Sequence, residues 1–319
     1  MLRAATREAI SAAAEIVRSG GLVAFPTETV YGLGANALDA FAAAKIFEAK
    51  ARPTFDPLIV HIADDAMLRL VVDEPIPPLA RRAMQRFWPG PLTLVLPKNS
   101  RVPDLITAGL STVAVRIPAH RVAHALVMHA GVPIAAPSAN PFGALSPTCA
   151  EHVQATLGDR VACILDDGPT PFGIESTILA FLPEPTILRP GAIAREAIEE
   201  ALGCNVAVVS IATSTPSVPG QLPQHYAPRI PLRIVDPASV APEDRRRAGL
   251  LAFRDDVPGY GASRILSPSG NLPEAAAQLF AHLHDLESSD IDRIDAQEIP
   301  EVGLGVAIMD RLRRASIKS

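Results

Sequence analysis

Residues Ser210–Pro228 (SIATSTPSVPGQLPQHYAP) contain no ionised side chain and are crowded with proline, serine and threonine. Such a stretch has neither helical nor strand periodicity, and its prolines lack the amide donors that both structures need. It divides the 319-residue chain into a unit over residues 1–207, an extended linker over 208–229 and a smaller unit over 230–319. With 48% hydrophobic and 20% charged residues, both units have the composition of packed domains.

Within the first unit, short apolar runs alternate with amphipathic stretches. Helices are expected over Ala4–Arg18, Asp39–Lys50 and Pro77–Trp88, and near Val122, Ala150 and Arg195. Strands are expected at LVAF (Leu22–Phe25), PLIVHI (Pro57–Ile62), LTLVL (Leu92–Leu96), VAVRI, PIAA, VACIL, STILAF and TILR. The alternation is not strictly βαβ, which predicts an α/β fold with a mixed twisted sheet. After the linker, PLRIV, GLLAF and SRILS alternate with helical patterns at Glu274–Leu286 and Gly305–Arg314, the pattern of a small open α/β domain.

Several function classes are disfavoured. A formal charge of -5 and 4% aromatic residues provide neither a basic grip on nucleic acid nor a stacking platform for single strands. Cys149, Cys163 and Cys204 are scattered and form no CxxC pair, so a reducing compartment is expected rather than a disulfide scaffold or a zinc site. Charges at Arg3, Arg7, Glu8, Glu15 and Arg18 interrupt any secretion signal. Prolines break the uncharged stretch Val122–Ala150, so no membrane span is expected and the prediction is cytoplasmic. His120, His124 and His129 fall on one predicted helix without a neighbouring carboxylate or cysteine, and read as helix-surface histidines rather than metal ligands.

Four segments carry chemistry. FPTETVYGLG places Thr27, Glu28, Thr29 and Tyr31 between a strand and glycine-permitted turns, where hydroxyls either grip a polar ligand or cap the turn. KARPTFDPLIVH sets Lys50 and Arg52 before a proline that extends the backbone. Either both cations point into an anion cleft, or Lys50 offsets a helix dipole. VRIP and APSAN supply Arg116, Ser138 and Asn140. Arg116 lies in an apolar strand and needs an anionic partner, from ligand or protein. GIESTI and LRPG supply Glu175, Ser176, Thr177 and Arg189 on strands expected to be adjacent. The set is cationic, with no acid pair and no activated nucleophile. It suits phosphoryl or nucleotidyl chemistry, which works by positioning and charge neutralisation.

Taken in order, these segments resemble the YrdC superfamily, and within it the two-domain threonylcarbamoyl-AMP synthases. FPTETVYGLG, KARP…DPLIVH, WPGPLT, VAVRIP, APSAN, GIESTI, LRPG, HYAP and EVGLGVAIMDRLRRAS follow the family order along nearly the whole chain. The resemblance implies a YrdC-like mixed twisted sheet with helices, joined by the linker to a smaller Rossmann-like α/β domain. It implies that L-threonine, bicarbonate and ATP yield threonylcarbamoyl-AMP and pyrophosphate, with Mg²⁺ on the phosphates. The product would pass to tRNA threonylcarbamoyl transferase proteins, with no strong direct binding of nucleic acid. Carried over by position, Tyr31, His61, Arg116, Ala136 and Ser176 would hold threonine. Arg52, Asp56, Thr112, Ser138, Asn140, Ser146, Arg189, His225 and Tyr226 would hold ATP, with Lys50 and Arg52 catalytic and no side-chain metal ligand. The linker would lie over the pocket as a lid.

This chain departs from the family's usual KGRP and NPL at Ala51 and Asp56. It has Gln221–Gln224 before HYAP in place of basic and aromatic residues, and Met309 in place of asparagine. Two rivals stand beside the synthase reading. One is a non-catalytic RNA-binding module of the same fold, against which charge and aromatic content weigh. The other is a carbamoyl transferase acting on a protein, which would bring zinc-binding cysteine clusters.

Overall fold

The computed structural model describes residues 1–181, 183–209, 218–222 and 225–317. Residues 210–217 of the expected linker, and the altered positions Pro223 and Gln224, lie outside the described residues. The first unit runs β1 (Leu2–Ala4), α1 (Arg7–Arg18), β2 (Val23–Phe25), β3 (Gly32–Asn36), α2 (Ala40–Lys50), β4 (Ile59–His61), α3 (Asp65–Val71), α4 (Pro78–Phe87), β5 (Leu92–Pro97), α5 (Asp104–Thr107), β6 (Thr112–Arg116), α6 (Arg121–Ala130), β7 (Ile134–Ala135), α7 (Ala150–Leu157), β8 (Cys163–Asp166), β9 (Thr177–Ala180), β10 (Thr186–Arg189), α8 (Arg195–Leu202) and β11 (Ala207–Val208). The second runs β12 (Leu232–Val235), α9 (Pro242–Arg245), β13 (Ala248–Ala252), β14 (Ala262–Ile265), α10 (Leu272–Glu287), β15 (Arg293–Gln297) and α11 (Gly305–Ser316).

Among the described residues, the first sheet has the order β1-β8-β2-β3-β7-β4-β6-β5-β9-β10-β11. Parallel pairs such as β4–β6 and β5–β9 alternate with antiparallel ones such as β5–β6 and β9–β10, so the sheet is mixed. Strand alternation gives its centre two different faces. Val60, Val115 and Leu179 enter the main core, whereas Ile59, Ala114 and Ile178 meet Val218 of the linker on the other face. That second face carries the candidate site. The smaller sheet, β12-β15-β13-β14, is parallel throughout.

Several elements differ from the sequence expectation. Leu2–Ala4 is a strand beside β8, and α1 begins only at Arg7, because Thr6 caps the helix by accepting from the Ala9 amide. Gly32–Asn36 is a strand rather than a turn. Its glycines leave room for Phe25 and Ile134, which a Cβ on Gly34 would approach within 2.7 and 2.8 Å. β15 (RIDAQ) hides behind charge, since Asp295 is fully buried mid-strand and is neutralised by Arg233 and Arg293. His120 is the N-cap of α6 and not one of its helical residues.

The two units share a core. Val30, Leu145, Ile174 and Ala192 of the first pack with Leu279, Phe280, Leu283 and Ile308 of the second. Gly173, at φ +66°, lies under α10 so closely that a Cβ there would stand 2.3 Å from the Ala277 carbonyl oxygen. This contact fixes the second unit against the loop that precedes β9.

Candidate active site

On the linker-covered face, β4 and β6 run parallel and end with His61 directly opposite Arg116. β9 and β10 are antiparallel, which brings Ser176, just ahead of β9, to Arg189 at the end of β10. The Arg189 guanidinium donates to the Ser176 carbonyl at 2.9 Å and to its hydroxyl at 3.2 Å. It also donates to the Pro219 carbonyl of the linker at 3.3 Å. Gly191 makes this approach possible: a Cβ there would fall 2.4 Å from the Glu175 carbonyl oxygen.

The resulting pocket spans about 500 Å³ of space between atoms, open solvent at its mouth included. Of the residues singled out from sequence, Arg52, His61, Arg116, Ala136, Ser138, Ser176, Arg189, His225 and Tyr226 line it. Thr27, Thr29 and Glu175, noted as chemistry-bearing, line it too, and Pro219 and Gly220 bring the linker into the wall. Tyr226 takes a left-handed backbone at φ 63°, and Gly220 makes room for its ring, since a Cβ there would lie 2.5 Å from the Tyr226 hydroxyl.

Five expected ligand-binding residues stand elsewhere. The Tyr31 hydroxyl donates to the Gly168 carbonyl at 2.7 Å, away from the lining. Thr112 begins β6, two strand positions before Ala114 and four before Arg116 on the same face, and is not among the lining residues. Asn140 turns its amide to the carbonyls of Pro141 and Ala144. Ser146 donates to Glu175 at 2.5 Å, one layer behind the wall. Asp56 is fully buried behind Arg52. Lys50, expected to point into the cleft with Arg52, instead lies under the wall. Its Nζ donates to the Ser138 carbonyl at 2.6 Å and also to that of Asn140.

Each buried cation has an internal anchor. Arg52 donates to the carbonyls of Asp56 at 3.1 Å and Pro57 at 2.9 Å, and its Nη2 is 2.9 Å from the Asp56 carboxylate. Arg116 donates to the Thr29 hydroxyl at 3.1 Å and pairs with Glu28 at 3.5 Å, which answers its need for an anionic partner from within the protein. Burial pushes the Lys50 ammonium well below its ordinary value, with Arg52 adding to the effect. Burial also raises the Asp56 carboxyl against the pull of Arg52, Lys50 and Arg189, but the guanidinium beside it stays protonated and holds the pair charged. His61 falls to about 3 through burial and the nearby Arg116, so it is a neutral imidazole at neutral pH, and its Nδ1 has no hydrogen-bond partner. Burial and the same cation cluster take His225 well below its ordinary value.

Sequence reasoning missed Arg311. It lies on α11 with its side chain 1% exposed and reaches across the shared core to Glu175, donating from Nε at 2.8 Å. It also donates to the Pro190 carbonyl at 2.9 Å and sits over the Tyr226 ring at 4.8 Å. Arg314 of the same helix donates to the linker carbonyl of Leu222 at 2.7 Å. An arginine sharing a helical stripe with Ile308, Leu312 and Ala315 was the available signal.

Inward-facing guanidinium groups, a neutral imidazole and a segment of the chain beside the opening are the features of a small-molecule site suited to an anion. Sequence comparison narrows this class. A family profile described as "Telomere recombination" (Sua5_yciO_yrdC) matches residues 15–191, and one described as "Threonylcarbamoyl-AMP synthase, C-terminal domain" matches residues 193–316. The threonylcarbamoyl-AMP synthase of Pyrococcus abyssi is 44% identical over 96% of this chain and 94% of its own length. That of Bacillus subtilis is 44% identical over 96% and 92%. The crystal structure of P. abyssi Sua5 complexed with L-threonine superposes with a TM-score of 0.89 at 41% identity, covering 96% of this chain and 94% of that one. The chain belongs to the Sua5 family of two-domain threonylcarbamoyl-AMP synthases.

Proposed function

We propose that the protein is a nucleotidyltransferase that condenses L-threonine, bicarbonate and ATP into threonylcarbamoyl-AMP and pyrophosphate. The product would supply threonylcarbamoyl transfer to tRNA by partner proteins. One observation carries the reading: three guanidinium groups, from Arg52, Arg116 and Arg189, converge on one enclosed cavity in a chain that two such synthases match along nearly its full length.

In this mechanism Arg116 takes the threonine carboxylate, with the Thr29 and Ser176 hydroxyls beside it. His61 is too weakly basic to store a proton near neutral pH, so it packs beside threonine as a neutral imidazole. The deprotonated amine attacks the carbon of bicarbonate or of the carbon dioxide derived from it. Attack on bicarbonate gives the carbamate and water; if bicarbonate first loses hydroxide to give carbon dioxide, attack gives the carbamate and a proton, which that hydroxide takes up. A carbamate oxygen then attacks the α-phosphorus, and the bond to the β-phosphate oxygen breaks as pyrophosphate leaves. Arg52 and Arg189 offset the charge on the departing group, and Ser138 faces the nucleotide. The linker residues Pro219, Gly220, His225 and Tyr226 keep water from the carbamate and the adenylate.

Mg²⁺ carried on the phosphates would add charge neutralisation. Glu175 is a carboxylate of the lining, and its oxygens are already bonded to Ser146 and Arg311, so its contact with such an ion would run through water. An RNA-backbone grip needs cations at the surface. Arg52, Arg116 and Arg189 are instead 7%, 2% and 4% exposed, which favours a small-molecule ligand.

Pyrophosphate release, measured with each substrate omitted in turn, tests the reading. Release requires all three substrates and is lost in Arg52→Ala. Release without threonine or bicarbonate, or unchanged release in the variant, refutes it.

A further inference from the structure

Asp56 differs from every other carboxylate near the cavity. Glu28 bonds to Arg116 and the His120 amide, and Glu175 bonds to Ser146 and Arg311. Asp56 is fully buried, and neither of its oxygens makes a hydrogen bond. A buried carboxylate without hydrogen bonds is costly, and only nearby positive charge offsets that cost. The charge is there: Nη2 of Arg52 stands 2.9 Å away, and Lys50 and Arg189 also act on the carboxylate. Lys50 directs its ammonium to two backbone carbonyls instead of to Asp56, so the carboxylate acts through its charge. It lies outside the cavity lining, on the far side of a guanidinium that does line it.

Resting on the reading of this cavity as a polyphosphate site, we propose that Asp56 is an internal counter-anion. It makes the Lys50–Arg52–Arg189 cluster tolerable inside the protein, and it competes with phosphate for the same charge, so that it sets the affinity for pyrophosphate and speeds its departure. Asp56 is thus a positioning residue, acting through Arg52. Its neutral isostere removes one negative charge from a poorly solvated cluster of three cations while keeping the side chain's shape. An incoming phosphate then meets uncompensated guanidinium charge. Acting across the intervening guanidinium, this charge is worth about tenfold or more in affinity.

The test is calorimetric titration of the full chain with inorganic pyrophosphate, alongside thermal melting with and without it. Asp56→Asn is expected to melt lower than the native protein without pyrophosphate, to bind pyrophosphate about tenfold tighter, and to gain more stability on binding. A merely structural role moves the melting temperature and leaves the affinity unchanged or weaker, and that result overturns the proposal. Titrations with excess EDTA and with Mg²⁺ separate a further possibility: if Asp56 ligates a phosphate-borne cation, the variant binds more weakly only when Mg²⁺ is present, which also overturns it. Should Asp56→Asn fail to fold, Asp56→Glu retains the charge and is expected to bind pyrophosphate within about twofold of the native protein; a tenfold change in either direction overturns the proposal. Native protein that binds no pyrophosphate refutes the reading of the cavity itself, whereas native binding with Asp56→Asn unchanged refutes only the role of Asp56.

Discussion

Replacing Arg311 with methionine keeps the length and apolar stem of the side chain but removes its charge. Glu175 would then be left in a buried setting without its closest cation, with Arg189 and the Ser146 hydroxyl as its remaining support. Breaking a buried ion pair from one side costs about 3–5 kcal/mol. The lost bond to the Pro190 carbonyl adds about 1 kcal/mol. For a chain of this length, a loss of about 5 kcal/mol lowers the melting temperature by roughly 7 °C. The informative assay is a double-mutant cycle by thermal and urea unfolding, using Arg311→Met, Glu175→Gln and both together. Because the double variant removes both charges of the pair, it should be no less stable than Arg311→Met, with a coupling of about 2 kcal/mol or more. Burial pushes the Glu175 carboxyl up, but Arg311, Arg189 and the Ser146 hydroxyl outweigh burial and hold it below 4.5. A depressed carboxyl stabilises the fold above its unfolded value and loses that contribution as pH falls through the folded value. The gap between native and Arg311→Met melting temperatures should therefore narrow below pH 4.5. Additive losses, or a gap that does not change with pH, would refute the argument that the second domain works through the charge on Glu175.

Two other perturbations bear on the site and the interface. Arg116→Ala removes the partner of Glu28 and the donor to Thr29, and should raise the threonine concentration needed for half-maximal pyrophosphate release by at least tenfold with a much smaller change for ATP; a larger change for ATP would mean the two subsites are exchanged. His152 of α7 stacks on His284 of α10 at 3.8 Å between ring centroids, and burial together with His284 lowers His152 to about 4. Because the folded imidazole is the weaker base, native stability should decline as pH falls from 6.5 towards 4, and His152→Phe should flatten that decline measurably in melts across the range. The slope should not vanish, since His61, His225 and His284 are depressed in the same sense.

Legibility in the sequence depended on whether a residue's partner was nearby. Arg116 stood out because a cation in an apolar strand must be answered, and Arg189 because it ends a strand expected beside that of Ser176; both face the cavity. Lys50 was seen but placed wrongly, because the carbonyls that capture it belong to a loop about ninety residues later. Ser146 and Asn140 occur in motifs beside the site, yet their side chains are taken by protein partners that no spacing rule reveals. β3 and β15 escaped because glycine in one and a central aspartate in the other disguise strand periodicity. The mixed sheet itself was readable, since apolar runs without regular helical crossovers leave few alternatives. Arg311 was hidden by its setting in DRLRR, which reads as a solvated helix end until Glu175, 136 residues earlier, is found against it.

The anchoring of the cations explains why the second domain and the linker are part of the site rather than appendages to it. Arg52, Arg189 and Lys50 are held chiefly by main-chain carbonyls, so their positions depend on backbone path more than on neighbouring side chains. One of those carbonyls, from Pro219, belongs to the linker, and another linker carbonyl, from Leu222, is held by Arg314 of α11. Arg311 of the same helix lies over Tyr226 while pairing with Glu175, whose backbone carbonyl accepts from the Ala192 amide just beyond Arg189. α11 is therefore hydrogen-bonded both to the linker, at Leu222, and to the loop after Arg189, at Pro190. Carbonyl anchors also leave the guanidinium charge less neutralised than carboxylates would, so the cations remain available to a ligand while staying hydrogen-bonded inside the protein.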